Sequence, residues 1–431
     1  LRPENYDQGQ LGTTSNLAAF VQGLETPRKI MLLVPAGKPV DAVIDALLPL
    51  VEAGDLIIDG GNSHFEDTDR RETNLKAKGI HFIGLGVSGG AVGARRGPSL
   101  MPGGDREAYR LVHPIFEAVA ARYRGEPCVA YLGPRSAGNY VKMVHNGIEY
   151  GLMQLISEVY DMLKQAGGLS NKQLAAAFGR WNQGRLQSFL VEISTLIFGQ
   201  KDPLGTGELI DAILDQAQQK GTGKWTSQNA MDLGIPVPTL DISVSMRALS
   251  ALKEWRVAAQ GRYAKPASAE SYPGLASDCE SALYFSFLLT YAQGFHQLSE
   301  ASRAYGYGLE LATVARIWRA GCIIRSAALE PIAEAFERQP GLKNLVLADA
   351  FREPLQEALP AVRRIAAHAV STGVPMPALI STLSYFDAFT SGRLPMNLVQ
   401  AQRDYFGSHS YQRLDREGVF HTDWQIPPPR N

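Results

Sequence analysis

Lys142, His145, Asn146, Glu149 and Tyr150 stand at i, i+3, i+4, i+7 and i+8 within the run Lys142-Met143-Val144-His145-Asn146-Gly147-Ile148-Glu149-Tyr150. On a helix this spacing gathers them within an arc of roughly 140°, at about 100° per residue. An amine, an imidazole, an amide, a carboxylate and a phenol therefore point the same way, with one candidate base and one candidate acid among them. Val141, Val144, Ile148, Leu152 and Leu155 make the opposing apolar stripe, so the helix can pack and still present the polar set. A solvated face is the ordinary meaning of a polar stripe. Asn146-Gly147 in mid-helix argues otherwise, because it costs on the order of 1 kcal/mol of propensity relative to Ala.

Three glycine-bearing stretches could face such a helix. Val34-Pro35-Ala36-Gly37, Gly60-Gly61-Asn62-Ser63 and Val87-Ser88-Gly89-Gly90 each fall at the end of a predicted strand. Ligands of a doubly wound sheet bind at that edge, and glycine there lets N–H groups approach an anion. Lys220-Gly221-Thr222-Gly223-Lys224 is a basic loop able to hold a monophosphate, although it lacks the spacing of a P-loop and no strand precedes it. Arg403-Asp404-Tyr405-Phe406-Gly407-Ser408-His409 places Arg and His on the C-terminal tail, where the flanking aromatics favour docking over free solvation.

The elements that must position these groups follow from periodicity. Residues 28–134 alternate in a βαβ rhythm, with strands over 29–34, 55–59, 80–84 and 127–132 and helices over 40–51, 68–78 and 105–121. That rhythm predicts a mostly parallel sheet covered on both faces. From Ser136 onward helical patterns dominate, over about 136–166, 171–179, 185–198, 207–219, 226–232, 239–259, 277–305, 309–328 and several more up to 390. The expected architecture is α/β plus all-α: a Rossmann-like parallel sheet domain over 1–135, a large helical domain over 136–392, and a tail over 393–431. The tail reads as too apolar to be disordered throughout and too irregular to be a helix.

The chain has 431 residues, 45% of them hydrophobic, and a formal net charge of −1. Near-zero charge argues against nucleic acid or an anionic membrane as the main partner. No apolar run reaches the roughly 18 residues of a membrane span. Cys128, Cys279 and Cys322 are scattered and odd in number, which fits a reducing cytoplasm and shows no zinc spacing.

Together these motifs make the chain resemble decarboxylating 6-phosphogluconate dehydrogenase from about Pro27 to His421. The resemblance is carried by Ile57 to Ser63, Gly86 to Gly90, Gly97 to Gly104, Val141 to Tyr150, Gly221 to Trp225, Gly321 to Ser326 and Gln402 to His409, in the family's order. It implies oxidation of the 3-hydroxyl of 6-phospho-D-gluconate by NADP or NAD, loss of CO2 and formation of ribulose 5-phosphate, a step of the pentose phosphate pathway and of gluconate utilization. By the same resemblance Lys142 is the base and Glu149 the acid that protonates the enediol. Asn62, Ser88, Gly89, Gly90, His145 and Asn146 hold the sugar acid. Tyr150, Lys220, Thr222, Arg247, Arg403 and His409 surround the phosphate, the last two from the partner subunit of a homodimer with exchanged tails. Val34, Pro35, Ala36 and Asn62 touch the coenzyme, and no metal is needed. A β-hydroxyacid dehydrogenase with another substrate and a non-catalytic phosphosugar-binding homologue are the alternatives.

Two departures stand out. Pro35 occupies a position where NADP-dependent relatives commonly have Lys, and it has no N–H to donate. No G-x-G-x-x-G-type segment precedes Ile30. A fingerprint unit with its next strand takes roughly 40 residues, whereas 1–27 accommodates at most a helix near 17–23. The expectation is a sheet domain lacking its first elements, with the complete enzyme restored if coding sequence lies upstream. A chain truly starting at Leu1 is expected to fold poorly and bind no coenzyme.

Overall fold

Short apolar runs make the strands, and amphipathic stretches between them make the covering helices. The computed structural model describes residues 12–219, 221–263 and 271–424. Its first elements are α1 (Leu17–Gln22), β1 (Lys29–Leu32), α2 (Lys38–Leu47), β2 (Leu56–Asp59), α3 (Phe65–Lys76), β3 (His81–Ser88), α4 (Gly90–Arg96), β4 (Ser99–Gly104) and α5 (Arg106–Val119). The sheet order is β1-β2-β3-β4, with β1, β2 and β3 parallel and β4 antiparallel to β3. Ile30, Ile57 and Phe82 stand in register and pack with Val40, Ile44, Leu47 and Leu75 on one face. Leu56, Ile58, Ile83 and Leu85 pack with Val112 and Phe116 on the other. Alternate residues of each strand thus feed two apolar layers, as a sheet covered on both faces requires.

Two expectations for this sheet need correction. No strand is expected between 84 and 127, yet the stretch between Gly97 and Gly104 contains β4, whose six residues are all buried. The expected strand over 127–132 is only partly a strand. Its start closes a small hairpin between β5 (Arg122–Tyr123) and β6 (Glu126–Pro127), and its remainder runs beside β4. There Leu100 N–H donates to Cys128 O at 3.0 Å and Leu132 N–H to Pro102 O at 2.9 Å. Pro102 has no N–H to complete the ladder between them.

The helical part comprises α6 (Ala137–Gln165), α7 (Asn171–Trp181), α8 (Phe189–Gly199), α9 (Thr222–Asp232), α10 (Pro238–Ser250), α11 (Lys253–Gln260), α12 (Leu275–Tyr305), α13 (Leu311–Ile317), α14 (Leu329–Arg338), α15 (Asp349–Thr372), α16 (Pro377–Phe389) and α17 (Met396–Gly407). The patterns over 239–259 and 309–328 proved too long: the first is split into α10 and α11, and the second is helical only over α13. The helix expected over 207–219 is reduced to a 3-10 turn at Leu209–Asp211. In this segment Asp211 pairs with Lys164, and Asp215 with Lys253 and Arg256. Helix propensity of a few tenths of a kcal/mol per residue does not by itself hold a short segment helical.

The chain divides into two compact units between Leu383 and Ser384. In the second unit α17 is a regular helix, contrary to the expectation of an irregular tail. Buried Asp404 ties the irregular remainder back onto it, accepting Ser410 N–H at 2.8 Å, Thr422 N–H at 3.1 Å and Trp424 Nε1–H at 2.9 Å. None of those partners is visible to helical periodicity.

Candidate active site

The polar stripe lies on α6, and glycines seat that helix on the sheet. A Cβ on Gly138 would stand 2.2 Å from Met101 O and 2.6 Å from Gly103 N, and one on Gly86 would stand 2.5 Å from Lys142 Cβ. No side chain fits between helix and strands, so α6 rests directly on β3 and β4. Further along, Gly147 faces the Thr226 side chain of α9, where a Cβ would meet Thr226 Cγ2 at 2.5 Å. The mid-helix glycine that looked costly by propensity is what allows α9 this close.

This seating places the stripe across from the carboxyl ends of β1, β2 and β3. Between them lies a cleft of about 1070 Å³. Leu33 to Ala36, Gly60 to Asn62 and Val87 to Gly90 line one wall, and Lys142, Asn146, Glu149 and Tyr150 line the other. Thr222 and Trp225 of α9, Arg247 of α10, Gln218 and Ile323 complete it.

Lys142 is only 6% exposed. Its Nζ donates to Asn146 Oδ1 at 2.7 Å and lies 3.4 Å from His145 Nδ1. His145 is fully buried behind the lining, with Nε2 3.1 Å from Ser88 Oγ and its ring edge-on to Trp318 at 5.5 Å between centroids. Burial pushes the Lys142 amine below its ordinary value, against the pull of Glu149 and Cys322. Burial pushes Glu149 up, against Lys142 and Arg247. The two groups are thus shifted toward each other, the amine toward a usable base and the carboxyl toward a usable acid. His145 is held well below its ordinary value by burial and by neighbouring Lys142, so its ring is neutral at pH 7.

At the far end of the cleft Arg247 lies over the Tyr150 ring, Cζ 3.5 Å from the centroid, and donates to Gln218 O at 2.9 Å. Thr222 opens α9 beside it. A cationic group and a helix N-terminus at one end of a cleft suit an anion.

The structure therefore brings together Val34, Pro35, Ala36, Asn62, Ser88, Gly89, Gly90, Lys142, Asn146, Glu149, Tyr150, Thr222 and Arg247, with His145 directly behind. Lys220 lies outside the described residues. Arg403 and His409 belong to the second unit, where both are exposed. Trp225, Gln218 and Ile323 escaped sequence reasoning as lining residues. Trp225 adjoins the basic glycine loop, whereas Gln218 sits in the stretch misread as a helix. Among the described residues no group of three or more His, Cys, Asp or Glu is placed to hold a metal ion, and no helix is long and apolar enough to cross a membrane.

The family model for the C-terminal domain of 6-phosphogluconate dehydrogenase matches residues 138–424. The model for the NAD binding domain of the same enzyme matches residues 4–133, beginning ahead of the first described strand. The NADP(+)-dependent, decarboxylating 6-phosphogluconate dehydrogenase of Bacillus subtilis is 51% identical over 95% of this chain and 88% of its own length. The NAD(+)-dependent enzyme of the same organism is 49% identical over 98% of this chain and 91% of its own. A solved 6-phosphogluconate dehydrogenase from Plasmodium falciparum, described as apo, with NADP+ and with 6-phosphogluconate, superposes with a TM-score of 0.92. It is 44% identical, covering 95% of this chain and 88% of that one.

Proposed function

The chain belongs to the 6-phosphogluconate dehydrogenase family, and from that premise we propose how its cleft oxidises and decarboxylates 6-phosphogluconate with NADP or NAD. The observation that carries the reading is Lys142, a buried amine whose hydrogen-bond partners, Asn146 and His145, are both neutral. Such a lysine is poised to lose its proton, and that is what a base for an alcohol must do.

The chain's residues fit a nicotinamide coenzyme at this end of the cleft. Gly90 and Gly37 have open space where a Cβ would be, at the carboxyl edge of parallel strands. Val34, Pro35, Ala36 and Asn62 would hold it, and when bound it accepts the hydride from C3. Ser88, Gly89, Gly90, Asn146 and His145 orient the sugar acid, His145 through its contact with Ser88.

Lys142 takes the proton of the 3-hydroxyl as the hydride leaves, and the product is a β-keto acid. The Lys142 ammonium then gives that proton to the keto oxygen while the bond to the carboxylate breaks and CO2 departs. Glu149 protonates C1 of the enediol, and the enediol hydroxyl returns its proton to Lys142. Passing that proton on to the Glu149 carboxylate resets the pair, so protons balance over the cycle. Production of NADPH or NADH, CO2 and ribulose 5-phosphate from 6-phosphogluconate, with far slower turnover of gluconate, tests the reading. Calorimetric binding of 6-phosphogluconate without any turnover would replace it with that of a phosphosugar-binding homologue.

Tyr150, Thr222 and Arg247 form the phosphate end. Arg247→Met is expected to raise KM for 6-phosphogluconate about tenfold, with the coenzyme KM little changed, because one charge-assisted contact to the phosphate is lost. Steady-state kinetics with each substrate varied will check it, and an unchanged sugar KM would move the phosphate elsewhere.

Arg403 and His409 would complete that end from a partner subunit. Exposed Leu398, Val399 and Phe406 on α17 support a tail covered by a second copy. Sedimentation velocity should then give a dimer, and a monomer that turns over normally would remove these two residues from the site. Three free, buried cysteines suit a cytoplasmic enzyme.

A further inference from the structure

Arg71 of α3 is 2% exposed and is not part of the cleft lining. Its Nε and Nη2 donate to the two Asp41 oxygens at 2.8 and 3.1 Å, and Nη2 also reaches Gly37 O at 3.1 Å. Its Nη1 donates to Asp59 Oδ2 at 3.3 Å and to Ser63 Oγ at 3.2 Å. Asp59, fully buried at the end of β2, meanwhile accepts Gly61 N–H at 3.0 Å and Ser63 O–H at 2.6 Å. Gly37 and Asp41 anchor the loop that carries Val34, Pro35 and Ala36. Gly61 and Ser63 flank Asn62. One planar side chain therefore ties together two loops that share no strand pairing of their own.

We propose that Arg71 is a positioning residue for the coenzyme: acting through Asp41, Asp59 and Ser63, it holds the Val34–Gly37 and Gly60–Ser63 loops in the one relative placement that receives the dinucleotide. A guanidinium suits the task because its donors are rigidly forked, whereas a lysine offers three donors from a single point. The inference rests on the reading that these two loops hold the coenzyme.

The test is calorimetry with NADPH and, separately, with 6-phosphogluconate, on the full chain carrying Arg71→Lys, Ser63→Ala or Asn62→Ala. Arg71→Lys should weaken NADPH about tenfold and Ser63→Ala about threefold, each weakening 6-phosphogluconate much less. Ser63→Ala buries no new charge and so serves if Arg71→Lys does not fold. NADPH affinity within twofold of wild type in the folded variants overturns the inference. If Asn62→Ala weakens NADPH in the same experiment, only the role of Arg71 is lost. If Asn62→Ala also leaves NADPH unchanged, the coenzyme reading of the loops falls and takes the inference with it.

Discussion

Lys142→Ala is expected to lower kcat by about 10³–10⁴-fold while 6-phosphogluconate still binds, because in the proposed mechanism the same amine serves as base in the oxidation and as acid in the decarboxylation. Without it the proton of the 3-hydroxyl must leave to water in a cleft whose floor is buried. Substrate binding is expected to survive because Ser88, Asn146 and Arg247, the groups proposed to hold the sugar acid and its phosphate, remain. The wild-type pH profile carries the same signature. Burial lowers the Lys142 pKa, so the base is deprotonated over a range where an ordinary lysine is charged. On the acid side kcat/KM should rise with pH as this amine loses its proton, and the residual activity of the variant should lack that limb. Stopped-flow NADPH formation and calorimetry measure both effects. Activity within tenfold of wild type would refute the base assignment.

Glu149→Gln should cost about 10²–10³-fold in kcat, with a different kinetic shape. The amide matches the carboxylic acid in size but has no proton to deliver to C1. Oxidation and CO2 loss precede that step, so a burst of NADPH and CO2 is expected, followed by slow appearance of ribulose 5-phosphate. Burial holds the Glu149 carboxyl above its ordinary value, the direction that favours an acid. Rapid-quench analysis of the three products will separate the phases. A loss below about fivefold, or equal slowing of all products, would leave Glu149 outside proton transfer.

Much of the site was legible because its chemistry is local. The spacing of Lys142, Asn146, Glu149 and Tyr150 put them on one face before any partner was known, and the cleft is lined by those residues. The three strand-end loops were legible too, since a parallel sheet delivers its ligands to that edge. Less legible were groups acting across sequence distance. Arg71 carries no signal in the sequence, and only the fold shows it bonded to Asp41, Asp59 and Ser63. The glycines of β3 and β4 look like turns, although several are contact points for α6. The stretch over 207–219 carries a helical pattern, yet it holds only a 3-10 turn, and its acidic residues pair with distant Lys164 and Lys253.

By itself the sequence determined which side of each helix is polar, where the strands end and which chemical groups stand within a turn or two of one another. These properties depend on backbone periodicity, which is set by neighbours along the chain. The tertiary structure alone decided what those groups can do. Lys142 and Glu149 acquire shifted proton affinities only because α6 lies flush on the sheet, with α9 and α10 lining the same cleft. Desolvation is a property of everything packed around a group, and no local pattern encodes it.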